Sequence, residues 1–159
     1  KSLKEKLDET RINIFVSFKY SRIYFIELNR YKEVNRTWEE VIRLGAKFEE
    51  RYKEEIKNII KIIPKILNKN WPIDNISIYM VDRIGPSFSN PLTLKVREDL
   101  LLMLVVLVHE LIHQFPTFNI HRAGNEKEVN NYTEKLFEEL KIDAKEQIAK
   151  LREWSEKDN

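Results

Sequence analysis

Nine consecutive apolar residues, Leu100 to Val108, run without a break into His109-Glu110-Leu111-Ile112-His113-Gln114-Phe115. A membrane-spanning helix needs roughly 20 apolar residues, so a run of this length has to be covered by the rest of the chain. The burial extends to the ionisable groups at its end, because positions 107, 108, 111, 112, 114 and 115 around them are all uncharged. Three titratable side chains buried within five residues cost several kcal/mol unless something partners them. Whatever provides that partner sets the centre of the fold.

Two histidines four apart on a helix lie on one face, one turn above the other, so His109 and His113 can reach a common ion. Cysteine is absent, so any metal is held by His, Asp or Glu. The pattern HExxH on a helix pairs two zinc ligands with a glutamate that takes a proton from water, which assigns Glu110 as general base and expects hydrolysis of a peptide bond. The competing interpretation makes His109, His113 and Glu110 a hydrogen-bonded core cluster, and it leaves their desolvation without a return.

A catalytic zinc takes a third protein ligand. The longer metzincin pattern is not met, since Pro116 and Asn119 stand where a glycine and the last histidine would be required. His121, Glu126 and Glu128 are the remaining candidates. On a helical wheel with Val129 at zero, Thr133, Leu136 and Leu140 fall within about 40°, Glu126 lies about 60° away on that inward side and Glu128 about 100° away. The wheel therefore favours Glu126, with Asn130 one turn on as a hydrogen-bond partner for a ligand histidine.

The flanking segments supply a small sheet and long helices. Residues 12–18 and 22–28 are rich in β-branched and aromatic side chains, which predicts a hairpin turning at Lys19 to Ser21. Thr37-Trp38-Glu39-Glu40 has the form of a capping box, opening a helix whose apolar stripe (Val41, Phe48, Tyr52, Ile56, Ile59, Ile63) should end at Pro64. Arg43, Lys47, Arg51, Lys57 and Lys61 form its solvated face. Ile76 to Val81 alternates as a strand, and Ser87 to Val96 reads as an edge strand bent at Pro91. A final helix from Asn125 carries Val129, Thr133, Leu136, Leu140, Ile148, Leu151 and Trp154 as its core stripe.

With HELIH followed by Asn125-Glu126-Lys127-Glu128-Val129-Asn130, the chain resembles the gluzincins, in which a "glutamate helix" often written NExxxD completes the zinc site; here Asn130 stands at the Asp place. The small size and short sheet look most like the minigluzincins, over roughly residues 37–145. The resemblance implies a zinc metallopeptidase with His109, His113 and Glu126 as ligands, Glu110 as base, and an extended peptide or protein substrate lying along the edge strand. His121 or Tyr132 would assist at the oxyanion. It also implies latency, with self-association through the cleft and a C-terminal tail carrying Glu156 and Asp158 that could enter it.

The expected fold class is thus α+β: a small sheet packed on a long backing helix, a buried HExxH active-site helix and a C-terminal glutamate helix. Residues 1–159 form one domain, with 1–36 as a β-hairpin extension and 37–159 as the catalytic core. Basic and acidic residues nearly balance, 28 against 26, which argues against a nucleic-acid partner. The absence of cysteine and of a membrane-length apolar run points to a cytoplasmic protein without a membrane partner. A zinc-binding module without turnover is the alternative function.

Overall fold

A computed structural model describes residues 14–28, 37–82, 87–89, 91–119 and 123–157. In chain order the elements are strand β1 (Phe15–Lys19), helix α1 (Arg22–Leu28), helix α2 (Trp38–Leu67), strands β2 (Asn75–Val81), β3 (Phe88–Ser89) and β4 (Leu92–Lys95), helix α3 (Leu100–Ile112), a 3-10 turn (Pro116–Phe118), and helices α4 (Ala123–Leu140) and α5 (Lys145–Ser155). The class is α+β, mostly helical. The sheet order is β1-β2-β4-β3, with β1, β2 and β4 parallel and the short β3 antiparallel to β4.

The expected hairpin is not formed. Phe15–Lys19 is a strand, but it pairs in parallel with β2, Phe15 opposite Asn75 through Lys19 opposite Tyr79, so this N-terminal strand belongs to the main sheet. Residues 22–28 are helical instead of extended, because Ser21 caps them: its Oγ accepts from Tyr24 N at 3.2 Å and its carbonyl from Phe25 N at 2.9 Å. Aromatic contacts then hold α1 in place, Phe25 against Trp38 and Tyr24 against Tyr79 at centroid distances of 5.4 and 5.0 Å. Residues 1–13 and 29–36 of the expected extension, with positions 12 and 13 of its hairpin, lie outside the described residues.

Helix α2 starts where the capping box puts it, with Thr37 Oγ1 accepting from Glu40 N at 3.3 Å. It does not stop at Pro64, which sits inside a helix continuing to Leu67. Proline has no N–H to offer the carbonyl of Ile60 four residues back, and that carbonyl instead accepts from Trp71 Nε1 at 2.9 Å. The helix ends at Asn68 in the left-handed conformation, φ 57°, its N–H returning to Pro64 O. Its buried stripe includes Val41, Leu44, Phe48, Ile56, Ile59 and Ile63, while Arg43, Lys47, Arg51, Lys57 and Lys61 are exposed.

Pro91 divides the expected single strand into β3 and β4, so β4 is interior and β3 forms the edge. Helix α3 begins where the apolar run does, capped by Asp99, whose Oδ1 accepts from Leu102 N at 3.1 Å, and it is buried on every side from Leu102 to Ile112. The single final helix expected from Asn125 is two helices. Lys141 takes a left-handed φ of 58°, Ile142 N bonds back to Phe137 O at 3.1 Å, and Asp143 Oδ1 accepts from Lys145 N at 3.3 Å to open α5. Trp154 is therefore not a core residue: it is 42% exposed, with the Arg97 guanidinium 4.8 Å from its ring centroid. Among the described residues no helix is long and apolar enough to cross a membrane.

One contact ties β1 to α2. Gly45 is buried beneath Tyr20, and a Cβ there would stand 2.6 Å from Tyr20 Oη, which itself donates to Glu49. Alanine is favoured over glycine by up to about 1 kcal/mol within a helix, so the sign of Gly45→Ala is set by Tyr20. In the wild-type background Gly45→Ala should lower stability, and in a Tyr20→Ala background the same change should raise it, as measured by urea unfolding of the four proteins.

Burial, the hydrogen bond to Glu49 and that carboxylate's charge, in that order, push the Tyr20 hydroxyl well above the ordinary tyrosine value. A folded-state value raised in this way stabilises the fold below the unfolded value near 10 and is lost as pH rises through the folded one. Wild-type stability should therefore fall more steeply than that of Tyr20→Phe above about pH 10, a difference that unfolding curves at graded alkaline pH would reveal.

Candidate metal centre

Helix α3 delivers His109, Glu110 and His113 into the interior, and the first turn of α4 delivers Glu126 against them; all four are buried. His109 Nε2 lies 2.9 Å from Glu126 Oε2, His113 Nε2 lies 2.9 Å from Glu126 Oε1, and the two Nε2 atoms are 3.1 Å apart. Glu126 is thus the carboxylate that meets the histidine pair. Glu128 is exposed on the opposite side of α4, and His121 lies outside the described residues. The inward face of α4 continues through Val129, Asn130, Thr133 and Phe137, with the Thr133 hydroxyl donating to Val129 O at 2.9 Å.

Each ring is oriented from behind. His109 Nδ1 is 2.8 Å from Asn130 Oδ1, and His113 Nδ1 contacts the carbonyl oxygen of Phe118. Both partners are acceptors, so both Nδ1 atoms carry a proton, and in the neutral form of each ring a bare lone pair at Nε2 faces Glu126. The 3-10 turn opened by Pro116 brings the Phe118 carbonyl to this place, its N–H bonding to Phe115 O at 2.9 Å, while Phe115 packs on Trp71 at 4.7 Å between centroids.

In those neutral forms the lone pairs of two imidazoles and a carboxylate converge. They repel one another unless a cation or added protons intervene, and one divalent ion satisfies all three. Separations of 2.9 to 3.1 Å are a few tenths short of the roughly 3.3 Å edge of a tetrahedron with bonds of about 2.0 Å. His109, His113 and Glu126 could therefore hold a metal ion, and the donor set fits one. Glu110 is placed beside this triangle, its Oε1 4.0 Å from His109 Nε2.

The partly buried Tyr132 ring stands edge-on to Phe118 at 5.7 Å and lines a small cavity with Ile63, Leu67, Ile112 and Leu136. Glu156, expected in a tail able to enter the cleft, instead accepts from Asn130 Nδ2 and from Arg152 Nη1, each at 2.9 Å; Asp158 lies outside the described residues. Sequence reasoning missed Phe118, which acts through its backbone and leaves no side-chain signal. It also missed Ser155 and Arg152, whose proximity depends on the break after Leu140.

Compared with known protein families, with curated proteins and with solved structures, the chain matches none. The centre has to be tested on its own geometry. One divalent ion should bind per chain, and His109→Ala, His113→Ala or Glu126→Ala should each reduce zinc at micromolar free concentration to well below stoichiometric, whereas Glu128→Ala should not. Elemental analysis after equilibrium dialysis decides this, and full occupancy in a ligand variant would refute the assignment.

Proposed function

We propose that this chain is a zinc-dependent endopeptidase of the gluzincin type, with α3 as its active-site helix and α4 as its glutamate helix. The observation that carries the proposal is the convergence of His109 Nε2, His113 Nε2 and Glu126 within a buried triangle whose imidazole protons are already engaged behind it. Two histidines and one carboxylate are a donor set of catalytic zinc sites, in which a further position is left for water. Bound there, zinc supplies a Lewis acid that polarises a carbonyl and acidifies water.

The chain's own residues account for the remaining steps. Glu110 follows His109 directly and lies beside the ligand triangle, where its carboxylate would take a proton from the attacking water and return it to the leaving amine. A peptide substrate would add as a strand along β3, whose outer side is a sheet edge and which packs against α3, so main-chain hydrogen bonds would hold the scissile bond close to Glu110. Asn130 and the Phe118 carbonyl keep the two imidazoles from rotating as charge develops.

The test is cleavage of an unstructured protein by the zinc-loaded chain, followed by mass spectrometry. Glu110→Ala should retain one zinc and lose activity by about 10²- to 10⁴-fold, as expected when a general base is removed. Undiminished turnover in that variant would exclude the mechanism. Stoichiometric zinc with no cleavage of any substrate by the wild type would leave the alternative, a zinc-binding module without turnover.

A further inference from the structure

The Asn130 side chain is an amide, and an amide can be turned over end for end. With its oxygen toward His109, the ring proton sits on Nδ1 and Nε2 is bare. With its NH2 toward His109, Nδ1 would have to accept, the proton would move to Nε2, and that nitrogen could no longer hold a cation. A carboxylate at position 130 would accept from His109 with either oxygen and need no such control.

The control comes from the end of α5. Asn130 Nδ2 donates to Ser155 Oγ and to Glu156 Oε2, both at 2.9 Å. Ser155 spends its own hydroxyl proton on Leu151 O at 2.7 Å, so it meets Asn130 with lone pairs alone. The Glu156 carboxylate is an acceptor as well. Two acceptors therefore demand the NH2 end of the amide, which forces the oxygen to His109. Arg152 holds the second acceptor in place: Nη1 donates to Glu156 Oε2 at 2.9 Å, while Nη2 donates to Asn131 Oδ1 at 2.9 Å and to Glu134 Oε2 at 2.7 Å, both on α4.

We propose that Ser155 and Glu156, backed by Arg152, are positioning residues of the metal centre, fixing the Asn130 amide and through it the tautomer of His109. The end of α5 thus determines which nitrogen of a ring on α3 faces Glu126. The proposal rests on the metal-site reading above, and its test uses readouts that separate the two.

Zinc affinity is measured by competition with a chelator on the full chain, and the His109 ring tautomer by nitrogen-15 shifts of the zinc-free protein. Ser155→Ala/Glu156→Ala should weaken zinc binding by about 10- to 100-fold, the range for lost partners behind a ligand, and shift His109 from Nδ1–H toward Nε2–H. Each single change retains one acceptor and should cost less. Adding Asn130→Asp to the double variant should recover most of the affinity, because a carboxylate cannot present an NH2 to His109; a merely structural role for the end of α5 would not be rescued in this way. Zinc affinity within twofold of wild type in the double variant, with His109 still protonated at Nδ1, would overturn the proposal, as would failure of the triple variant to recover. If the wild type binds no zinc, the metal-site reading fails and the ring tautomer alone decides whether Ser155 and Glu156 orient Asn130.

Discussion

Two imidazole protons are committed to acceptors on the far side of their rings, and the arrangement of the surrounding helices follows from that. With the Nδ1 hydrogens of His109 and His113 donated to Asn130 and the Phe118 carbonyl, the facing Nε2 atoms of the neutral rings and Glu126 would form a buried group with lone pairs in excess. Such a group is costly in an apolar interior and becomes favourable when a cation joins it. Holding it open requires a helix buried on all sides, a turn that returns a carbonyl to that helix's end, and a second helix with Glu126 and Asn130 one turn apart. Helix α3, the Pro116 turn and α4 meet those requirements in chain order.

The supporting framework solves its own polar problems by similar means. Pro64 leaves a carbonyl in α2 without its helical donor, and the indole of Trp71 fills the vacancy; the same indole packs on Phe115 at the end of the HELIH segment. A helix defect on one side of the core is thus linked to the end of α3 on the other. Burying Trp71 and Phe115 together contributes a few kcal/mol of apolar stabilisation, on the scale for large side chains removed from water.

How much of this was legible in the sequence depends on the range over which each feature is determined. His109, Glu110 and His113 could be read from spacing and from the uncharged residues around them, because a helix fixes their relation locally. Glu126 followed from a wheel argument for the same reason. Residues 22–28 were misread as a strand: Ile, Tyr and Phe favour one, yet the Ser21 cap and the contacts of Tyr24 and Phe25 with distant rings outweigh that preference. The break between α4 and α5 carries neither glycine nor proline, only Lys141 in a left-handed conformation and Asp143 as a weak start signal. That break turns α5 back along α4, so the approach of Ser155 and Glu156 to Asn130 could not be read from local pattern.

The pairing of β1 with β2 gives the fold an order in time. Phe15 meets Asn75 across the whole of α1 and α2, whereas His109 meets Asn130 only 21 positions on. Loop-closure entropy rises with the length closed, and long-range strand pairing is the slow part of folding. The helices that carry the candidate centre therefore condense from near neighbours in sequence, while β1 waits for a partner sixty residues later. Until it docks, the outer edge of β2 stands open to any other strand, and the speed of that closure governs how much newly made chain is lost to aggregation.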